Sequence, residues 1–136
     1  MSTIVDQLKR HEGFRSHVYK CTAGKDTIGY GFNLETGITE RQAELLLRDQ
    51  LLVIHLDCCK EFIWYKALPA ARQGVIMNMV FNLGMGGFKK FKRMRAAIVA
   101  EEHDTVVNEM LASKWAHQVK SRAWELCDQW RDNCYK

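Results

Sequence analysis

From Ala70 to Leu83 the chain is apolar on nearly every face of a helix, broken only by Arg72, Gln73, Asn78 and Asn82, and Gly84, Gly86 and Gly87 follow at once. A helix without a continuous polar face is stable only when other elements surround it, so this segment predicts the centre of a helical lobe. Leu68-Pro69 marks its start, because proline suits a first helical turn and disfavours helix in the residue before it. Shorter helices are expected over residues 91–100, 104–112 and 121–133, with Asp104 and Ser121 as caps. Upstream, Ala43, Leu46, Leu47, Gln50, Leu51 and Ile54 recur at helical spacing with no breaker before Lys60, and Thr39 with Gln42 has the form of a capping box. That long helix is suited to joining a small N-terminal lobe to the helical C-terminal one. The small lobe reads as a helix over residues 4–11 ending at Glu12-Gly13, then two strand-like runs flanking a turn at residues 22–26, then a turn-like stretch over 33–37. The expected class is α+β, mainly α, in one domain spanning residues 1–136.

Composition narrows the setting. The 136 residues are 47% hydrophobic and 26% charged with one proline, an ordinary globular balance without low-complexity tracts. Asp6, Lys9 and Arg10 interrupt the N-terminus, so neither a signal peptide nor a membrane anchor is expected. Five cysteines, an odd number that includes adjacent Cys58 and Cys59, fit a reducing compartment better than a disulfide framework. Were Cys127 and Cys134 two turns apart on one helix, their separation of roughly 10 Å would forbid a bridge. The net charge of +4 and the run Lys89-Lys90-Phe91-Lys92-Arg93 suit a polyanionic partner. Peptidoglycan, teichoic acid, lipopolysaccharide and nucleic acid all meet that description.

The chemistry concentrates near the N-terminus. Eight residues separate Glu12 from Cys21 and five separate Cys21 from Thr27, so the helix end and the hairpin bring a carboxyl, a thiol and a hydroxyl around one cleft. Glu12 stands at a helix C-terminus, where the negative end of the dipole disfavours the carboxylate, which suits a proton donor. A thiol is a poor base at neutral pH unless a cation or a helix N-terminus favours its thiolate; Lys20, Lys25 and Arg122 are the candidate sources of that field. Once ionised, Cys21 can deprotonate a water or attack the anomeric carbon, and both roles stay open beside a purely structural one. Asp26 is a rival base, though its place beside Gly24-Lys25 is that of a turn residue. Thr27 can orient the attacking water.

The order and spacing of Glu12, Cys21 and Thr27 resemble the Glu, Asp-or-Cys, Thr triad of the phage-type lysozymes, or endolysins, of glycoside hydrolase family 24. Three more stretches carry the resemblance: Val18-Tyr19-Lys20-Cys21-Thr22 with Thr27-Ile28-Gly29-Tyr30-Gly31, Asn78-Met79-Val80-Phe81-Asn82-Leu83-Gly84, and Ser113-Lys114-Trp115 with Arg122 downstream. The resemblance implies a lysozyme-like fold and an N-acetylmuramidase that needs no cofactor and cleaves the β-1,4 bond between N-acetylmuramic acid and N-acetylglucosamine in bacterial peptidoglycan. It implies a monomer without a nucleic-acid partner, held in the host cytoplasm until a holin releases it to the wall. By the same resemblance Arg122 pairs with Glu12, and Lys114 and Trp115 join the substrate-binding residues. A lytic transglycosylase on the same bond, in which the sugar's 6-hydroxyl replaces water, is the nearest alternative. A catalytically inactive, basic wall-binding module is the alternative from another class.

Asn78 and Asn82 lie four apart on an apolar helix and so share a face on which neither can be left unpaired. They are candidates to bind the N-acetyl and hydroxyl groups of amino sugars, with Tyr30, Phe81 or Trp115 stacking on the rings; a buried structural network is the competing explanation for them. His55, Cys58 and Cys59 share a helical face but lack a fourth ligand at a diagnostic spacing, so no metal is expected. Trp115, Trp124, Trp130 and Tyr135 are expected to pack rather than to stack on bases.

Overall fold

Helix α1 (Ile4–Glu12) is fixed at both ends by its own sequence. Thr3 Oγ1 accepts from the Asp6 N–H while the Asp6 carboxylate accepts from the Thr3 N–H, a reciprocal capping box. At the other end Gly13 takes φ +69° and donates its N–H to the Lys9 carbonyl. In this computed structural model, which describes residues 3–136, none of the α1 side chains is buried, so local capping defines the helix.

The chain divides into two units, residues up to Leu47 and residues from Arg48 onward. The first unit holds α1 and a three-stranded antiparallel sheet in the order β1 (Arg15–Lys20), β2 (Asp26–Gly29), β3 (Phe32–Asn33). Tyr19 pairs with Thr27 and Lys20 with Asp26, and a bulge falls between Arg15 and Tyr19. The sequence predicts only the β1–β2 hairpin; β3 is two residues long, too short for any alternation to reveal it, and a single 3-10 turn (Leu34–Thr36) follows. Thr27 is the buried residue of the sheet.

Helix α2 (Glu40–Glu61) starts where the capping box places it, with the Thr39 N–H on Gln42 Oε1 at 2.8 Å and the Gln42 N–H on Thr39 Oγ1 at 3.1 Å. Its sequence crosses from the first unit into the second. The second unit is all helical: α3 (Ala70–Lys89), α4 (Lys92–Val99), α5 (His103–Leu111), α6 (Lys114–Val119) and α7 (Ser121–Asp132). Val75, Ile76, Met79 and Val80 of α3 are buried, whereas Phe81 and Asn82 of the same apolar run lie exposed. The buried side chains pack with Tyr65, Met94, Val106, Val107, Met110, Leu126 and Trp130 into one core, where each large side chain contributes about 1.5–3 kcal/mol of burial.

Three boundaries differ from expectation. Gly84 breaks α3 at φ +76°, as the glycine cluster predicts, but the helical turns resume beyond it and include Gly86 and Gly87. Asp104 and Ser121 are not caps: α5 is preceded by Glu102 and α7 by Lys120, and neither makes a side-chain cap bond. Asp104 lies instead in the first turn of α5, where a negative charge favours the helix dipole. Helix α6 was not expected; its six residues are too few for periodicity to register, although Ser113 caps it by accepting from the Ala116 N–H. Lys120, at φ +49°, ends α6 and opens α7 in one sharp corner.

All five cysteines are free thiols. Cys134 lies beyond the end of α7, so it and Cys127 do not share a helix. Among the described residues no helix is long and apolar enough to cross a membrane, and no cluster of His, Cys, Asp and Glu is arranged to hold a metal ion.

Candidate active site

The three residues of the Glu–Cys–Thr spacing all fall in the first unit. Glu12 is the last residue of α1, and its carboxyl lies against the turn between β2 and β3. A Cβ on Gly31 would sit 2.5 Å from Glu12 Oε2, so a side chain there would push that carboxyl aside. Gly29 and Gly31 both take positive φ and flank Tyr30, whose ring centroid is 5.6 Å from that of Phe14, with Lys9 Nζ also 5.6 Å from the ring. The glycine-flanked turn is thereby fastened to the end of α1 from two sides. Sequence reasoning did not single out Phe14, Lys9 or the contact at Gly31; two glycines bracketing one aromatic residue were the available signal.

Cys21 opens the turn between β1 and β2. Its N–H donates to the Lys25 carbonyl at 3.0 Å and its carbonyl accepts from Gly24 at 2.8 Å, with Gly24 at φ +76°. This tight loop turns peptide N–H groups toward the sulfur. The backbone N–H of Lys25, then that of Ala23, stabilises the thiolate and holds the Cys21 pKa below that of an ordinary thiol. The expected source of that field was a cationic side chain. In the structure Lys20 is instead paired with Asp26 at 2.6 Å and Lys25 with Glu35 at 3.3 Å, and backbone dipoles do the work. The Lys20–Asp26 pair also engages the rival base, across the hairpin where the register sets the two residues opposite each other.

Thr27 contributes more weakly to the low Cys21 pKa. Its hydroxyl, on a residue only 3% exposed, donates to the Lys25 carbonyl at 2.8 Å. A hydroxyl has one hydrogen, so Thr27 can serve the carbonyl or the thiolate but not both at once. The two backbone N–H groups are therefore the steadier support for the charge.

The remaining candidates belong to the second unit, where two pairs form. Arg122 directs Nε and Nη2 at Asn78 Oδ1, at 2.9 and 2.7 Å, and the Trp115 indole N–H donates to Asn82 Oδ1 at 2.8 Å. The shared helical face thus engages α6 and α7 through both amide oxygens, while the amide NH2 groups have no protein partner among the described residues. Trp115 itself is 3% exposed and packs edge-on to Phe91, so its ring is not presented to a sugar. Phe81 and Tyr30 are the exposed aromatic candidates, at 41% and 36%. Lys114 is exposed on the first turn of α6. Of the other aromatics, Trp130 is fully buried as expected, whereas Trp124 and Tyr135 lie exposed.

The chain is similar to known proteins over most of its length. The chain is 29% identical to "Probable T4-type lysozyme 1" of Dictyostelium discoideum, with 90% of each chain covered. It is 36% identical to the endolysin of Acyrthosiphon pisum secondary endosymbiont phage 1 over 60% of this chain and 57% of that one. It is also 28% identical to the pre-baseplate central spike protein Gp5 of Enterobacteria phage T4, where 89% of this chain matches only 26% of the longer protein. The phage lysozyme family profile matches residues 9–127, a span that contains Glu12, Cys21, Thr27 and every second-unit candidate. The chain belongs to the phage lysozyme family and is a glycoside hydrolase, a lysozyme acting on peptidoglycan.

Proposed function

We propose that the enzyme hydrolyses the β-1,4 bond between N-acetylmuramic acid and N-acetylglucosamine, with Glu12 as general acid and Cys21 as the second catalytic group. The observation that carries this reading is the loop of backbone N–H groups around Cys21, which supplies what a thiol lacks as a base or nucleophile. Glycosidic hydrolysis needs a proton on the leaving oxygen and a nucleophile on the opposite face of the sugar. Glu12 provides the first. The Cys21 thiolate provides the second, by deprotonating a water or by direct attack, and Thr27 orients the incoming group. The amide donors of Asn78 and Asn82 are offered to N-acetyl and hydroxyl groups, Tyr30 and Phe81 to sugar faces, and Lys114 and Arg122 to anionic groups of the wall.

In this reading the enzyme works as a monomer in phage release, waiting in the host cytoplasm until a holin opens the way to the wall. The match to a segment of a spike protein favours a second reading, in which the same catalytic unit serves within a larger assembly. Size-exclusion chromatography of the purified chain separates the two, since the first requires a monomer.

The chemistry is tested on purified peptidoglycan by mass spectrometry of the fragments. Hydrolysis leaves a reducing N-acetylmuramic acid end, whereas a 1,6-anhydro end would assign the enzyme to the transglycosylases. A turbidity assay on permeabilised Gram-negative cells tests lysis, and clearing by the wild type but not by Glu12→Gln is the expected result.

A further inference from the structure

Away from Cys21, a second thiol sits in a chain of hydrogen-bonding groups that the lysozyme reaction does not use. Cys59 and His55 are one turn apart on α2, and Cys59 Sγ lies 3.7 Å from His55 Nε2. The other ring nitrogen, Nδ1, is 2.8 Å from the hydroxyl of Tyr65, and the two rings meet edge-on at 5.3 Å. Tyr65 is wholly buried, whereas Cys59 and His55 are each partly exposed. A nucleophile, a base and a third group that fixes the base are therefore arranged in order from the surface inward.

We infer that Cys59 is a reactive thiol activated by His55, a modification site for small disulfides. The Cys59 proton passes to His55 Nε2, and the imidazolium then donates from Nδ1 to the Tyr65 oxygen and from Nε2 to the thiolate. The thiolate attacks one sulfur of the disulfide. A new S–S bond forms at Cys59 as the reagent's own S–S bond breaks, and the departing thiolate takes the proton back from His55. No other oxidant is needed, because the small disulfide is reduced as Cys59 is oxidised.

The neighbours do not compete. Cys58, the adjacent residue, is fully buried, and burial pushes its pKa up to about 12, so it remains a thiol. Burial also raises the Tyr65 pKa, which keeps the phenol neutral as an orienting partner. Cys134 is exposed, and its sulfur meets the Tyr135 carbonyl and the charge of Lys136, neither of which is a base that takes its proton.

The experiment treats the full-length folded protein with substoichiometric 5,5′-dithiobis(2-nitrobenzoate) and locates the label by peptide mass spectrometry. Cys59 is expected to react at least about tenfold faster than Cys134 in the wild type, consistent with base assistance. His55→Gln, which keeps a polar partner for Tyr65 but removes the base, should lower the Cys59 rate by about tenfold or more and leave Cys134 unchanged. Tyr65→Phe should lower it less, by releasing the ring. Circular dichroism confirms that each variant is folded; should Tyr65→Phe unfold, His55→Gln alone decides. Equal rates for Cys59 and Cys134 in the wild type, or an unchanged or faster Cys59 rate in His55→Gln, would overturn the assignment.

Discussion

The Glu12 carboxyl fills the space that a Cβ on Gly31 would need, with Oε2 2.5 Å from where that Cβ would sit, so the glycine acts as a seat for the carboxyl. Gly31→Ala puts a methyl group 2.5 Å from the present position of Oε2, at a residue already at φ +78°. The left-handed backbone alone costs roughly 1–2 kcal/mol for an L-residue. We expect lysis to fall more than tenfold, far more than the modest drop in melting temperature measured by circular dichroism would explain, because the displaced carboxyl is that of the proposed acid. A variant as active as wild type would show that the seat is irrelevant to catalysis.

Glu12→Gln retains the shape and most hydrogen bonding of the side chain but cannot deliver a proton. General acid catalysis is typically worth about 10²–10⁴-fold, so turbidity clearing should drop by at least about 100-fold with an unchanged circular dichroism spectrum. Retention of a substantial rate in a folded variant would remove Glu12 from the mechanism.

For Cys21 the direction of the pKa shift fixes the sign of the pH dependence. The thiol ionises below the usual cysteine value of about 8.5, so the rising limb of the pH–rate profile should lie on the acid side of that value. Its contribution to folding has the same sense: present above the unfolded pKa, and lost as pH falls through the lower folded pKa. Cys21→Asp should remain active with its limb moved to the carboxylate range near pH 4, and Cys21→Ser should be crippled. Only Cys59 and Cys134 need replacing for an alkylation test, because burial raises Cys58 to about 12 and Cys127 to about 11. A Cys21→Ser enzyme that lyses as fast as its parent would leave Glu12 alone and favour the transglycosylase outcome.

Asn78→Ala leaves two partly buried N–H groups of Arg122 without their acceptor. Stranding donors in this way costs about 1–3 kcal/mol, readable as a lower midpoint in urea unfolding. Asn78→Asp should recover the loss, since a carboxylate accepts from the same guanidinium.

Lys90, Lys92 and Arg93 line a cavity of about 410 Å³ together with Phe91 and Met94. Replacing the three cations with glutamine should slow lysis in dilute buffer and matter little in high salt, where the Debye length shrinks to about 3 Å at 1 M. Lys114 and Lys120 are expected to add to the effect. Arg131 should contribute less, because Asp128 already faces its guanidinium at 3.3 Å. Equal losses at both ionic strengths would mean that the residues serve folding instead.

What could be read from the sequence was whatever a local rule writes down. The α2 capping box, the apolar α3 and the break at Gly84 each follow from neighbours a few residues apart. The two-residue β3 and the six-residue α6 carry too little pattern to be seen, and the ends of α5 and α7 are set by backbone geometry at Glu102 and Lys120 rather than by a capping side chain. The same division runs through the site. The spacing of Glu12, Cys21 and Thr27 is a property of the string, but the amides that favour the thiolate depend on how the loop from Cys21 to Lys25 curls. The engagement of Asn78 by Arg122 joins residues 44 positions apart, beyond the reach of any periodicity.

Five unbridged thiols, two of them sealed in the core, also determine how such an enzyme dies. The native fold hides Cys58 and Cys127 from every oxidant. A molecule that opens in an oxidising medium exposes both beside the three outer sulfurs, and an odd set of five cannot pair off completely within one chain. Where a mixed bridge between chains forms before the core closes again, the opened molecule is trapped. The working lifetime is therefore a matter of how often the helical core opens, a kinetic limit and not an equilibrium one.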